Sequence, residues 1–226
     1  MSAIAHNWAA VRATVAAACE RAGRDPASVT IVAVSKTHPA SAVREAAAAG
    51  ASDFGENYAQ ELAAKRAEVG EDVRWHFIGR LQRNKAKLVA GRVVLVHAVD
   101  SLELAVELGK RAGGVQPILL AVNVAGEDSK GGVAPAAAEE LARAIVRVPG
   151  VRLDGLMTMP PPEVDPRPHF RALAELRARL SDTLAMPLPV LSMGMSGDYE
   201  AAIACGSTHV RIGTAIFGAR QTTDVA

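Results

Sequence analysis

The chain has 226 residues, which fits one α/β barrel domain of roughly 200 to 250 residues. Half of the residues are hydrophobic and 22% are charged, which is typical of a soluble globular domain and excludes a disordered or collagen-like chain. The net charge of +1 predicts no overall attraction to nucleic acid or to an anionic membrane. We therefore expect one domain over residues 1–226, in which local groups bind any charged ligand.

The chain begins with an alanine-rich segment, residues 1–23, which predicts a helix. Arg12 interrupts this segment and no basic region precedes it, so it does not have the pattern of a signal peptide. No run of about 18 uncharged apolar residues predicts a membrane span. Cys19 and Cys205 lie in unrelated segments, and the six histidines occur singly, so neither a disulfide scaffold nor a metal site is predicted. A reducing compartment, the cytoplasm, is the expected location.

After this helix, short β-branched runs alternate with segments rich in alanine and leucine. The strands are predicted at residues 29–35, 51–55, 74–79, 93–99, 117–124, 152–158, 189–194 and 208–212. The helices are predicted at residues 39–49, 58–69, 82–90, 101–112, 135–146, 166–184 and 198–205. Eight strands with intervening helices favour a (β/α)8 barrel of the TIM type with an extra N-terminal helix. A doubly wound open sheet explains the same alternation, but no G-x-G-x-x-G opens the first of these helices.

Lys36 directly follows the first predicted strand, at the edge of the barrel where ligands bind. Burying an ammonium group there is unfavourable unless it has a partner or takes part in a reaction. Burial and a neighbouring cation such as Arg211 would lower the pKa of this lysine and make it a nucleophile at neutral pH. From position alone, Lys36 equally well extends into solvent.

Two turns near the C-terminus predict an anion site. Ser196 and Gly197 follow the seventh strand, and Gly213 and Thr214 follow the eighth, so backbone amides and hydroxyls converge at the loops where such barrels often bind phosphate. Ordinary turn glycines are the alternative. An amine, a phosphate site and an arginine at one barrel mouth together describe a site for pyridoxal 5′-phosphate.

The chain resembles the pyridoxal phosphate homeostasis protein family, which is related to the N-terminal barrel of alanine racemase. The resemblance rests on the segments SKTHPASAVREAAAAG, FGENYAQE, WHFIGRLQRNKAK, LMTMPPP and SMGMSGDYEAAIACGSTHVRIGTAIFG. It implies that Lys36 binds pyridoxal phosphate covalently as an internal aldimine and that Asn57 lies beside the cofactor. It further implies that Arg211 is the partner of the pyridine nitrogen. The phosphate ligands that it implies are Ser196, Gly213 and Thr214. Four residues depart from the pattern of many relatives, which affects rim contacts and partner surfaces only, namely His38, Arg80, Arg83 and Gly197.

An arginine beside the pyridine nitrogen predicts weak catalysis, because a guanidinium stays charged and cannot stabilise a protonated ring. The racemase relatives also have a C-terminal domain that supplies a catalytic tyrosine, and only residues 215–226 follow Thr214 here. We therefore expect no catalytic residue and a monomer that holds pyridoxal phosphate, buffers it and transfers it to pyridoxal-phosphate-dependent apo-enzymes.

Other functions remain open at this stage. A racemase of low activity would use Lys36 as one base, and a class I aldolase would use it as a Schiff-base lysine without a cofactor. Nucleic-acid binding would rest on a short basic run, which a solvated helix face explains as well, at Arg80, Arg83, Lys85 and Lys87. Three further residues either line the cofactor or belong to the barrel core, namely His76, Met193 and Met195.

Overall fold

The computed structural model describes residues 2–70, 72–127 and 131–219 of the chain. Its strands are β1 Thr30–Val34, β2 Asp53–Glu56, β3 Arg74–Phe77, β4 Leu95–Val99, β5 Gln116–Ala121, β6 Val151–Met157, β7 Val190–Met195 and β8 His209–Ile212. Within the described ranges these strands form a closed parallel barrel, in which each strand pairs with the next and β8 pairs with β1. The predicted (β/α)8 barrel is confirmed, and each predicted strand overlaps the observed one. That residues 1–226 form one domain stays a prediction, and residues 220–226 lie outside the described ranges.

The helices follow the predicted order. They are α1 Ala3–Arg21, α2 Ala40–Ala48, α3 Ala59–Val69, α4 Leu102–Arg111, α5 Ala138–Ile145, α6 Arg167–Leu184, α7 Tyr199–Ala204 and α8 Thr214–Phe217, with three 3-10 helices at Pro26–Ser28, Arg83–Leu88 and Pro135–Ala137. The predicted helical segment 82–90 therefore forms a 3-10 helix, and the short α8 was not predicted. In the described part of the chain, no helix is both long enough and apolar enough to cross a membrane.

The N-terminal helix α1 packs against α2, α7 and α8 on one side of the barrel. Ser2 caps α1 by accepting a hydrogen bond from the amide of Ala5, and Trp8 and Val15 are buried on the face that packs against the barrel helices. Asn7 donates a hydrogen bond to the carbonyl of Ile216 in α8. This contact fixes α8 and the turn that precedes it.

Most of the hydrophobic core lies between the strands and the surrounding helices. Its largest fully buried members include Phe54, Phe77, Leu120, Phe170 and Leu173. Close packing of such side chains is the main stabilising contribution in a domain of this size.

The interior of the barrel is polar. His97 of β4 forms a hydrogen bond with Ser192 of β7. Because β4 and β7 are not neighbours in the barrel, these side chains can meet only inside it. The polar side chains that meet there are Asp53, His76, His97, Ser192, His209 and Arg211. Barrels of this type are usually filled by branched apolar side chains, so this interior is organised by hydrogen bonds instead.

Candidate functional site

The residues predicted to bind a ligand lie at the C-terminal ends of four strands that are neighbours around the barrel, β7, β8, β1 and β2. Ser196 follows β7, Arg211 lies in β8, Lys36 follows β1 by two residues, Asn57 follows β2, and Gly213 and Thr214 follow β8. The strand order therefore brings all six to one sector of one barrel mouth, the end where ligands bind in parallel β/α folds.

The turn after β8 packs against the ends of both neighbouring strands. The amide of Gly213 donates to Ser196 Oγ at 3.3 Å. A Cβ atom added to Gly213 would lie 3.3 Å from the carbonyl oxygen of Val34, the last residue of β1. In addition, the ring of His38 stacks on Phe217 of α8, with ring centroids 5.2 Å apart. The segment around Lys36 is thus held against the predicted phosphate turn.

Asn57 occupies a tightly enclosed position beside this segment. Its Oδ1 atom is buried and has no hydrogen-bond partner in the described part of the chain. A Cβ atom added to Gly79 would lie only 2.2 Å from the carbonyl oxygen of Asn57, so β3 ends directly against its backbone. Buried polar groups are nearly always paired in folded proteins, so this amide is suited to bind a ligand.

An ion-pair cluster, formed by Ser35, Thr37, Glu56, Glu61 and Lys65, holds the chain on both sides of Lys36. Ser35, Glu56 and Lys65 are buried, whereas Glu61 is partly exposed and Thr37 is exposed. We call it the Lys65 cluster. Lys65 Nζ lies 2.6 Å from the carbonyl oxygen of Ser35, 2.6 Å from Glu56 Oε1 and 2.7 Å from Glu61 Oε1. Ser35 Oγ donates to Glu56 Oε1 at 2.6 Å, and the amide of Thr37 donates to Glu61 Oε1 at 2.6 Å. The residues before and after Lys36 are therefore both fixed by hydrogen bonds.

The backbone and the charges at this cluster are both unusual. Thr37 has a φ of +66°, a left-handed conformation that costs a residue with a Cβ atom on the order of 1–2 kcal/mol. The hydrogen bond from its amide to Glu61 helps to hold this conformation. Burial raises the pKa of Glu56, although the neighbouring Lys65 opposes this rise. The half-buried Lys36 thus extends from a segment whose conformation is set by its surroundings.

Arg211 lies inside the barrel beneath this mouth. It is only 6% exposed, and it donates to Ser192 Oγ at 2.7 Å and to the carbonyl oxygen of Thr158 at 3.0 Å. Burial lowers the pKa of Arg211 to about 10, so the guanidinium stays protonated at neutral pH. A guanidinium has five N–H donors, and these two bonds to described residues leave donors for a ligand.

A cavity opens beside Ser196. It has a volume of about 610 Å³ and lies between the loop before α6 and the turn from β7 to α7, where Pro161, Arg167, Met195 and Tyr199 are among its lining residues. This volume is in the range of pockets that hold small molecules. Over residues 2–70, 72–127 and 131–219, no group of three or more His, Cys, Asp or Glu side chains is arranged to hold a metal ion.

The structure also settles the surroundings of three residues with open roles. His76 is 2% exposed and bonds to Asp53 and His97, so it belongs to the polar barrel interior. Met193 is fully buried in the hydrophobic core, whereas Met195 lines the cavity beside Ser196.

Sequence reasoning missed the Lys65 cluster and the polar barrel interior. One usable signal was the i, i+4 spacing of Glu61 and Lys65 on a predicted helix. Another was the period-2 spacing of Arg74 and His76 in a short strand, which places both on one face of the sheet.

Comparison with known proteins identifies the family. Residues 1–221 match the alanine racemase N-terminal domain family. A pyridoxal phosphate homeostasis protein of Pseudomonas aeruginosa is 51% identical over 225 residues, which cover 98% of this chain and 97% of that protein. The chain belongs to the pyridoxal phosphate homeostasis protein family.

A second relative and a solved structure support the same family assignment. The one from Aquifex aeolicus is 48% identical over 212 residues, covering 90% of this chain and 92% of that protein. The structure of PipY from Synechococcus elongatus, described as having pyridoxal phosphate bound, matches with a TM-score of 0.83 at 35% identity, covering 95% of this chain and 100% of that chain. The family resemblance predicted from the sequence is confirmed.

Proposed function

We propose that this protein binds pyridoxal 5′-phosphate at the barrel mouth, holds it covalently but reversibly on Lys36, and buffers it or transfers it to apo-enzymes. The observation that carries the proposal is the convergence of three chemistries on neighbouring strand ends. These are the amine of Lys36 after β1, the buried guanidinium of Arg211 in β8, and the paired amide and hydroxyl of Gly213 and Ser196. The relative PipY, whose structure is described with pyridoxal phosphate bound, supports the same choice of ligand.

The residues present fit this cofactor. A phosphate group needs hydrogen-bond donors, which Ser196 and Thr214 supply through hydroxyls. Gly213 supplies its amide once this amide exchanges its 3.3 Å contact with Ser196 Oγ for the phosphate. The pyridine nitrogen accepts one hydrogen bond, and Arg211 offers a donor. Asn57 adds a buried amide oxygen that lacks a partner in the described part of the chain.

When bound, the cofactor supplies an aldehyde carbon that reacts with amines. The neutral amine of Lys36 would hold that carbon through a C=N bond to Nζ, formed with loss of water, and water or another amine would release it. The Lys65 cluster fixes the backbone on both sides of Lys36, so it presents the amine from one position. Such a reversible bond suits a protein that must release what it holds.

The partner of the ring nitrogen favours a carrier over an enzyme. Arg211 donates a hydrogen bond and keeps its own proton, since its pKa stays near 10 even when buried. The ring nitrogen is then not protonated, and withdrawal of electrons from a bound amino acid is weak. We therefore assign no catalytic residue.

The proposed setting is the cytoplasm, with the protein acting as a monomer. Both Cys19 and Cys205 are free thiols, as expected in a reducing compartment. Burial raises the pKa of the Cys19 thiol, which lowers its reactivity.

The test compares transfer with catalysis on the same loaded protein. Protein carrying pyridoxal phosphate is mixed with an aminotransferase stripped of its cofactor, and recovery of aminotransferase activity is timed against free cofactor at the same concentration. We expect recovery of activity and no loss of the α-deuteron from deuterated alanine beyond the rate with free pyridoxal phosphate. Exchange of that deuteron at about 1 s⁻¹ or faster would make the protein a racemase instead.

A further inference from the structure

A chain of hydrogen bonds runs through the interior of the barrel and ends on Arg211. Asp53 Oδ1 lies 3.0 Å from His76 Nε2, and His76 Nδ1 lies 2.9 Å from His97 Nε2. His97 Nδ1 lies 2.8 Å from Ser192 Oγ, which lies 2.7 Å from Arg211 Nη1. We call these five residues the interior chain. All five are buried, and they come from five different strands, β2, β3, β4, β7 and β8.

The chemistry at the two ends gives the interior chain a direction. Arg211 only donates, so the oxygen of Ser192 accepts from it and the hydroxyl hydrogen is available for His97. At the other end, burial opposes ionisation of Asp53, but hydrogen bonds from His76 and Arg74 outweigh it and hold the pKa of this carboxyl well below its usual range. Asp53 is therefore a carboxylate that only accepts.

One arrangement of protons satisfies every bond with both imidazoles neutral. His76 donates from Nε2 to Asp53, so its Nδ1 accepts from Nε2 of His97. His97 Nδ1 then accepts from the hydroxyl of Ser192. Each ring carries its proton on Nε2, and each hydrogen bond of the interior chain joins one donor to one acceptor.

The surroundings keep the ring of His97 neutral. His209 faces both rings, with centroids 6.0 Å from His76 and 6.1 Å from His97. Burial, followed by the nearby His76, His209 and Arg211, lowers the pKa of His97 well below its usual value. Arg74, whose side chain is 60% exposed, pairs with Asp53 at the far end. Asp198, in the turn between β7 and α7, is the charged group that acts on Arg211 at the other end.

We propose that His76, His97 and Ser192 are positioning residues, which hold the Arg211 guanidinium in one orientation. Because Asp53 only accepts hydrogen bonds, it sets which atom donates and which accepts in every bond along the interior chain. The hydroxyl of Ser192 is committed to His97, so its oxygen stays available to Arg211, and the remaining guanidinium donors stay aimed away from Ser192. This inference rests on the proposed function in one respect, because it assigns the remaining N–H donors of Arg211 to the ring nitrogen of the cofactor. If these side chains only filled space, their volume would matter but the direction of their hydrogen bonds would not.

The first test reads the proton positions without any cofactor. Nitrogen-15 NMR of the two histidine rings, assigned with His76→Gln and His97→Gln, reports which ring nitrogen carries the proton. We expect Nε2–H on both rings in the unmodified protein. Asp53→Asn replaces an acceptor by an amide that also donates, and we expect a shift toward Nδ1–H on both rings. The matched control, Arg74→Met, removes the exposed partner of Asp53 but keeps the carboxylate, and should leave both rings unchanged.

The second test measures the consequence for binding. His97→Leu keeps much of the volume but removes the acceptor for Ser192, and we expect the dissociation constant for pyridoxal phosphate to rise roughly 10-fold, equivalent to one hydrogen bond of about 1.4 kcal/mol. His97→Asn places an acceptor near the position of Nδ1 and should restore most of the affinity. Circular dichroism of each variant establishes that the barrel is folded.

The two proposals fail in different ways. An Nδ1–H ring at His97 in the unmodified protein, or rings and affinity unchanged by Asp53→Asn, would overturn the interior chain as a positioning device. Equal affinities of the Leu and Asn variants at His97 would overturn it as well. Failure of the unmodified protein to bind pyridoxal phosphate would overturn the proposed function, while the ring measurements would still decide the direction of the chain.

Discussion

The side-chain nitrogen of Lys65 lies 2.6 Å from the carbonyl oxygen of Ser35, the residue that precedes Lys36. Lys65 is 5% exposed and neutralises the buried Glu56, so its removal leaves a buried carboxylate without its cation. We predict that Lys65→Met lowers the free energy of unfolding by about 3–5 kcal/mol, measured by urea denaturation.

The double variant Glu56→Gln with Lys65→Met is the control for this prediction. It removes both charges, so its loss of stability should be clearly smaller than the sum of the two single losses. Additive losses would show that the two side chains do not interact and would contradict the Lys65 cluster.

Gly79 and Gly114 allow a matched test of the position of Asn57. A Cβ atom at Gly79 would lie 2.2 Å from the backbone oxygen of Asn57, whereas a Cβ atom at Gly114, between α4 and β5, meets nothing within 4 Å. We predict that Gly79→Ala displaces Asn57 and weakens pyridoxal phosphate binding by roughly 10-fold or more, while Gly114→Ala binds as the unmodified protein does. Equilibrium titration followed by visible absorbance measures both, and equal affinities would contradict a role of Asn57 in the site.

The barrel was predictable because its signals are local. Each strand has a short β-branched run, and each run is followed by a helical segment, so the order of elements and the place of Lys36 at the end of β1 followed from the sequence. The Lys65 cluster was not predictable in the same way. Ser35, Glu56 and Lys65 belong to different elements, and only the packing of α3 against the ends of β1 and β2 brings them within hydrogen-bond distance.

The stability of the protein should depend on pH through its buried histidines. Burial lowers the pKa of His209 to about 4, from about 6.5 in an unfolded chain. Between these values the unfolded chain binds a proton that the folded chain does not, so stability falls as the pH falls from 6.5 toward 4. Each such histidine contributes a slope of up to about 1.4 kcal/mol per pH unit.

The variant His209→Gln isolates this contribution. Urea denaturation between pH 7 and pH 5 should give a shallower decline of stability for His209→Gln than for the unmodified protein, with His97 supplying much of the remaining slope. Parallel pH profiles of the two proteins would contradict a neutral His209 in the barrel interior.

The polar interior illustrates a second limit of sequence reasoning. The six single histidines predicted no metal site, and their spacing gave no sign that His76, His97 and His209, from three strands, meet inside the barrel. The direction in which a strand residue points depends on barrel closure and strand stagger, which neighbouring sequence does not encode. Arg211 was predicted as a ligand group, but the hydrogen bonds that hold it were visible only in the folded chain.

The central claim is that Lys36 holds pyridoxal phosphate, and borohydride reduction tests it most directly. The protein is incubated with pyridoxal phosphate, reduced and digested, and the peptides are mapped by mass spectrometry, with Lys36→Ala and Lys110→Ala, an exposed lysine of α4, treated alongside. We predict a yellow band that bleaches on reduction and a pyridoxyl group on Lys36, lost in Lys36→Ala and kept in Lys110→Ala. A protein without the band, or with the group on another lysine, would contradict it.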